Sequence, residues 1–299
     1  MKRTKRLNNS FSDQTFNTVL LVLTTLWLLI VLYPLIYIVS SSFSSGTDVT
    51  QGRVLLWPVN FSLTGYEIVL KNAAVWQGYK NTILYTVLGT ILNVILTILT
   101  AFPLSRSNFQ GRKILTAYCM IPMFFGGGLI PTYMLVSGLG LTNTRLFMII
   151  SGALNISNMI IMRTSFKTGV PSELFESAKL DGISDIGFLL KIVLPLTKAT
   201  TAVIILYYLV GHWNDYFTGL IYLRDRDLYP LQLILRDILN TAQVNQQQIT
   251  DSEVLSKLQG AADVMKYSLI VVSTLPMLVL YPFVQKFFEK GVMVGSVKG

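Results

Sequence analysis

The chain has 299 residues, of which 52% are hydrophobic and 13% charged; a soluble globular domain carries about 25% charge, so the composition excludes an ordinary soluble enzyme and points to a membrane protein. Lys and Arg total 24 against 15 Asp and Glu, a net charge of +9, but these cations fall between apolar segments rather than on one patch, so they read as membrane topology and not as a nucleic-acid footprint. The lone Cys119 excludes an intrachain disulfide and a cysteine metal cluster, and suits a buried small apolar residue.

Residues 1–17 form a basic N-terminal segment with Lys2, Arg3, Lys5 and Arg6. Six predominantly apolar segments follow, at 18–40, 82–104, 114–136, 146–162, 199–222 and 264–284. Each is near the roughly 20 residues that a spanning helix needs. The first is too long for a signal-peptide core and no cleavage pattern follows it, so it counts as a span. The third holds Pro122, Gly126-Gly127-Gly128 and Pro131, which predicts a broken or closely packed span. Two connections are long, 41–81 and 223–263, and the second is Gln-rich around 243–248. The expectation is an all-α polytopic membrane protein: one transmembrane domain over 18–285 with six transmembrane helices, closed by a tail over 286–299.

With the N-terminus in the cytoplasm, 15 of the Lys and Arg residues fall on inside segments and nine on outside segments and outer span ends. The positive-inside rule therefore favours both termini in the cytoplasm. That orientation also places residues 163–198, between the fourth and fifth spans, inside.

Residues 171–195 are polar and helix-forming. Pro171 suits a first helical turn, Glu173 and Glu176 suit the positive end of a helix, and Leu174, Phe175 and Ala178 share one broad face. Gly182 suits the helix end, Ser184 and Asp185 can start the next helix, and Pro195 bends it at the membrane. The fixed points are Glu176-Ser177-Ala178, Gly182 four residues after the alanine, and Ile192-Val193-Leu194-Pro195. This spacing resembles the EAA loop of ABC importer permeases. The resemblance implies a cytoplasmic coupling helix between spans four and five, seated on a separate ATP-hydrolysing subunit. Glu176 would then meet a basic residue there, Ala178 and Gly182 would allow close approach, and Ser177, in place of a second alanine, is equally small.

Further segments are similar to the carbohydrate-type permeases of that family: Leu56-Trp57-Pro58 through Gly65-Tyr66, Ala101-Phe102-Pro103-Leu104-Ser105-Arg106, Ile130-Pro131-Thr132-Tyr133, Trp213-Asn214-Asp215-Tyr216-Phe217 and the ending Lys290-Gly291 to Gly295-Ser296-Val297-Lys298-Gly299. The resemblance runs from about Leu20 to Gly299, and within the subgroup it is nearest to complex-oligosaccharide importers. It implies half of a sugar path, a second permease subunit, two ATP-binding subunits as a homodimer and an extracellular or periplasmic sugar-binding protein. This chain would bind no cofactor, with ATP and Mg held by the partner ATPase. The setting would be the bacterial cytoplasmic membrane, in contact with lipid and with no nucleic-acid partner. The tail, with Gly291, Gly295, Lys298 and Gly299, would reach toward the ATPase subunits.

An intramembrane carboxylate usually faces a cavity or a partner, which makes Asp215 a candidate path residue. Trp213 and Tyr216 could stack on a sugar ring while Asn214 and Asp215 bond hydroxyls, or the group could be an interfacial aromatic belt with Asp215 paired to a neighbour. Asn155 and Asn158 could line the path or bond an adjacent helix. His212 reads as a satisfied structural histidine. No Gly-x4-Gly-Lys-Ser/Thr phosphate loop, His-Glu-x-x-His or Gly-x-Ser-x-Gly occurs, so no ATP-binding or enzymatic constellation is expected. Competing readings are an importer of the same architecture for a peptide or polyol, and a secondary transporter, which would predict inverted repeats that the chain lacks.

Overall fold

A computed structural model describes residues 11–246 and 252–296, and every regular element among them is a helix. In chain order these are α1 (Phe11–Ser42), α2 (Gly46–Thr50), α3 (Thr64–Lys71), α4 (Ala73–Ser105), α5 (Arg112–Phe124), α6 (Leu129–Gly138), α7 (Arg145–Ile150) and α8 (Ile156–Gly169). There follow α9 (Ser172–Leu180), α10 (Asp185–Phe188), a π-helical turn (Leu189–Val193), α11 (Leu194–Leu196), α12 (Lys198–Trp213), α13 (Phe217–Tyr222), a 3₁₀ turn (Arg226–Leu228), α14 (Leu231–Gln246) and α15 (Ser252–Ser296). The chain divides into two compact units, one of residues up to Lys71 with Leu239–Val272, the other of Asn72–Ile238 with the residues from Ser273 onward.

In the first unit the connection after α1 is held by side chains that satisfy main-chain groups. Ser40 Oγ donates to Leu56 O (2.7 Å), and Ser44 Oγ accepts from Val59 N (3.0 Å) while donating to Ser40 O (2.7 Å). Ser45 caps α2 by accepting from Asp48 N, the usual role of serine at a helix start. The buried Asp48 carboxylate accepts from Ser45 Oγ, from Asn60 Nδ2 (2.8 Å) and from Arg53 Nη1 (3.2 Å). These donors, the Ser45 and Asn60 bonds foremost, hold its pKa below the ordinary 3.8. Gly46 crosses Gly260 of α15 so closely that a Cβ on Gly46 would lie 2.5 Å from the Gly260 carbonyl carbon. Only paired glycines allow that approach.

In the second unit α4 is the spine, packed by α7, α8 and α12. Its N-terminus is capped by Asn72, whose Oδ1 accepts from Ala74 N (3.0 Å). At its other end Arg163 Nε donates to Leu104 O (2.9 Å) and Arg112 Nη1 to Arg106 O (3.1 Å). Cations on the carbonyl end of a helix satisfy orphan acceptors and complement the macrodipole. The first turns of α4 grip the connection 227–231 through its main chain. Gln77 and Asn81 side chains donate to Asp227 O (2.9 and 2.7 Å), Asn81 also to Tyr229 O (3.0 Å), Tyr85 OH donates to Leu228 O (2.9 Å), and Thr82 Oγ1 accepts from Leu231 N (2.8 Å). Asn143, at φ 58°, forms a second clasp: its Oδ1 accepts from the N–H groups of Arg224 (2.9 Å) and Asp225 (3.0 Å), and its Nδ2 donates to Asp225 Oδ2 (2.8 Å).

Asp13–Ser42, Ala73–Ser105 and Gln259–Pro282 are continuous helices long and apolar enough to cross a membrane. They contain or overlap the expected first, second and sixth spans. The other three expected spans are not single helices. The 114–136 segment is α5 and α6, bent by 112° at Phe125–Gly128. The 146–162 segment is split between α7 and α8 by a turn with Gly152 at φ 68°. In the 199–222 segment α12 ends at Trp213 and α13 starts at Phe217. Counting two bent pairs, α5 with α6 and Asp185–Leu196 with α12, as one span each gives up to five among the described residues. The physical reason is local: glycine runs and turn residues interrupt what composition alone reads as continuous. The tail residues Lys298 and Gly299, and the basic residues Lys2 to Arg6, lie outside the described residues, whereas Gly291 and Gly295 belong to α15.

Candidate coupling surface and polar cavity

The 171–195 stretch folds as its residue types demand. Pro171 takes the cap position, at φ −54° and ψ 146°, one residue before α9. Glu173 sits in the first turn, where a carboxylate is favoured by the helix dipole. Gly182, at φ 71°, ends the helix: its N–H donates to Lys179 O (3.1 Å), and Ile183 N donates to Ala178 O (2.9 Å), the paired closure of a Schellman turn. Ser184 then caps α10 by accepting from Gly187 N (3.1 Å). The π turn precedes Pro195, and the axis turns by 88° at Thr197 rather than at the proline itself.

Ala178 is 4% exposed and packs with Ala101, Leu104, Phe166, Phe188, Leu189 and Val193, with Phe175, Ile192 and Leu194 at the edge of the same cluster. The small size of Ala178 thus seats α9 on its own chain. Gly182 meets nothing within 4 Å and is needed for its backbone conformation. Glu176, Ser177 and Pro195 are exposed, and Leu180 is 89% exposed. The outward face of α9 therefore combines a carboxylate, a small hydroxyl and an uncovered leucine.

Sequence reasoning did not single out what anchors this helix. The Arg106 guanidinium lies 5.2 Å from the Phe102 ring centroid, 5.6 Å from Phe175 and 5.3 Å from Phe188. Phe175 and Phe188 meet edge to face at 5.1 Å. One cation so ties the end of α4 to α9 and α10, at about 0.5–2 kcal/mol per contact depending on desolvation. Its Nε and Nη2 are buried without a hydrogen-bond partner. Burial pushes the Arg106 pKa down from its ordinary value. The signal was present in the sequence as Arg106 directly after an apolar segment, but the three rings come from separate elements.

A cavity of about 370 Å³ lies between α4, α8 and α12. Of the expected path residues it brings together Asn155, Asn158 and Asp215, joined by Asn93, Ser151, Tyr207, Tyr208 and His212. Asn93 Nδ2 donates to Gly152 O (3.3 Å) and lies 3.2 Å from His212 Nε2, while Asn93 Oδ1 has no hydrogen-bond partner. Tyr208 OH accepts from Asn155 N (3.1 Å), leaving its proton for Thr97 Oγ1 (2.7 Å). Asn155 Oδ1 caps α8 by accepting from Asn158 N (3.1 Å), and Asp215 Oδ1 caps α13 by accepting from Thr218 N (3.0 Å). Gly89 leaves the room that the His212 ring fills, since a Cβ there would lie 2.4 Å from Nε2. The other aromatic and amide candidates lie elsewhere. Trp213 is 5% exposed and donates Nε1–H to Ser273 O (3.1 Å), Asn214 Nδ2 donates to Val210 O (3.0 Å), and Tyr216 sits under Arg236 at 5.3 Å. Asn93 and Thr97 belong to a polar stripe with Thr86 and Thr90, at helical spacing along the mostly apolar middle of α4. That stripe was the readable signal for this wall.

A short helix caged from behind and a polar cavity thus occur together in this apolar bundle. Residues 4–294 match the family of the binding-protein-dependent transport system inner membrane component. The chain belongs to this family. Among related inner membrane components, the polygalacturonan/rhamnogalacturonan transport system permease protein YtcP of Bacillus subtilis (strain 168) is 38% identical over 271 residues, 91% of this chain and 94% of that protein. Protein LplC of the same organism is 37% identical over 270 residues, 90% of each chain. A chain from the crystal structure of a bacterial ABC transporter involved in the import of the acidic polysaccharide alginate superposes with a TM-score of 0.84 at 35% identity, over 93% of this chain and 98% of that one. A chain from a bacterial alginate ABC transporter in complex with an alginate pentasaccharide-bound periplasmic protein, at 18% identity and a TM-score of 0.56, shares the fold.

Proposed function

We propose that the chain is a permease subunit of an ATP-driven ABC importer, forming half of the path for an oligosaccharide delivered by an extracellular or periplasmic binding protein. It is a transport subunit and not an enzyme; a separate subunit hydrolyses ATP. The observation that carries the reading is α9, held from behind by Ala178 and the Arg106 cage while Glu176, Ser177 and Leu180 face outward. A short rigid helix of this kind can carry closure of a partner into the membrane. In this reading Ile192, Leu194 and Pro195 belong to the lever that joins α9 to α12. The α5–α6 pair, the α7–α8 segment and α12 with α13 each serve as one span, which makes six, with both termini cytoplasmic. A second permease subunit completes the path, two ATP-binding subunits hold ATP and Mg, and the tail from Gly291 to Gly299 extends toward them. The cavity walled by Asn93, Asn155, Asn158 and Asp215 offers hydroxyl-binding groups to the sugar, and uronide oligosaccharides are supported by the names of the two relatives that carry one.

The test is reconstitution with the partner subunits. Glu176→Lys and Leu180→Asp, both on the exposed face, are expected to abolish co-purification of the ATPase and sugar uptake while leaving the permease folded. Normal uptake in both variants would refute the coupling role. Binding of uronide but not neutral oligosaccharides by the cognate binding protein is the expected outcome for the substrate class.

A further inference from the structure

The cage of Arg106 borders a second cavity, of about 270 Å³, where the end of α4 and the turn after it meet α9 and α10. Phe109 and Phe175 give it apolar wall, and Arg106, Asn108, Gln110 and Asp185 give it polar groups. All of these residues belong to one compact unit. The Arg106 guanidinium has no acceptor: Nε and Nη2 are buried without a hydrogen-bond partner, and among the described residues no carboxylate pairs with it. The three caging rings present π faces but no lone pairs. A buried charged donor without an acceptor is costly, so the arrangement favours a ligand that brings one. Asp185 lines the same cavity yet forms no ion pair with Arg106, and Asn108, Gln110 and Asp185 are exposed, with their side-chain polar atoms open to a ligand.

These groups specify a chemistry. Arg106 asks for one negative charge, and a planar carboxylate matches a guanidinium. Asp185 opposes a second negative charge, which disfavours dicarboxylates and doubly charged phosphates. Asp185 accepts from hydroxyl groups, while the amides of Asn108 and Gln110 both donate and accept. The rings of Phe109 and Phe175 suit the apolar face of a small ring. The volume lies at the small end of ligand pockets, which run to about 300–1,000 Å³, so it suits a single sugar ring rather than a chain.

We infer that this cavity is a binding site for a hydroxylated monocarboxylate of one-ring size, a uronic acid monosaccharide, distinct from the polar cavity between α4, α8 and α12. The choice of a uronate among such acids rests on the reading of the chain as a permease for uronide oligosaccharides. The importer with its partner subunits, in nanodiscs of phosphatidylcholine, is titrated calorimetrically with D-galacturonate, D-galactose and acetate. Galacturonate is expected to bind at least about tenfold more tightly than galactose, which lacks the charge, and than acetate, which lacks the hydroxyls. Arg106→Gln is expected to abolish that binding. Asn108→Leu combined with Gln110→Leu, on the exposed rim and outside the cage, is expected to weaken it about tenfold, and this variant decides the matter if Arg106→Gln fails to fold. No galacturonate binding, equal binding of galactose or acetate, or an affinity unchanged by the rim variant overturns the inference. Uptake by the wild-type importer is a separate readout: an importer that carries no uronide overturns the functional reading, while the titrations still decide what the cavity binds.

Discussion

His212 shows how a single residue type acquires meaning only from its neighbours. Alone in the sequence it reads as structural. In the fold it fills the space opposite Gly89, reaches Asn93 and borders the polar cavity. Gly89→Val forces side-chain atoms into that ring, and overpacking of this kind costs about 1–3 kcal/mol; a lowered thermal midpoint in detergent, largely restored by His212→Ala in the double variant, is the expected result. Asp48 supplies a pH-dependent counterpart. Its carboxyl is held below 3.8 by Ser45, Asn60 and Arg53, so its contribution to stability is present above that value and is lost as pH falls through the lower folded-state pKa. Asp48→Asn is expected to remove this portion of the acid sensitivity, seen as a shallower drop of the unfolding midpoint on acidification than in the wild type.

At the scale of elements, the legible and the illegible parts divide by the range of the interactions involved. Glu173, Gly182 and Ser184 each act within one turn and occupy the start or stop positions that local chemistry predicts, while Pro171 sits one residue earlier than the first turn expected for it. The breaks in the third and fourth segments were signalled by Gly126–Gly128 and by Gly152, but hydropathy averages across such residues. The direction in which Ala178 faces was not readable, because its partners Ala101, Phe166 and Val193 come from three other helices. The cage of Arg106 was hidden for the same reason. Its removal has a defined consequence: Arg106→Gln frees Phe175 and Phe188, and uptake per assembled complex is expected to fall while the ATPase still binds the intact outward face of α9. Arg106→Lys, which keeps the charge but loses the planar stacking of guanidinium, is expected to restore uptake in part. Gly182→Ala, which forces a side chain into a left-handed backbone, is expected to cost about 1 kcal/mol and to be read in the same thermal assay.

For the molecule as a whole, composition and the spacing of Lys and Arg were sufficient for the class, since a charge-poor chain with long apolar helices has few alternatives. The cavity required the fold. Its walls come from α4, α8 and α12, and two of the aromatic candidates proposed from their sequence neighbourhood, Trp213 and Tyr216, are engaged elsewhere. Asn158→Leu and Asp215→Leu remove polar groups from the cavity, and transport is expected to slow with the complex still assembled; unchanged uptake in both would place the sugar elsewhere.

The hold of α4 on the 227–231 connection has a further consequence for how this chain tolerates change. Gln77 and Asn81 bind the carbonyl oxygen of Asp227, an atom that every amino acid possesses, while the Asp227 side chain points to an exposed position. The clasp is therefore indifferent to the letter written at 227. That position can drift, or accept a dye or a crosslinker through Asp227→Cys, with a stability change within about 0.5 kcal/mol, in a loop whose path through space stays the same.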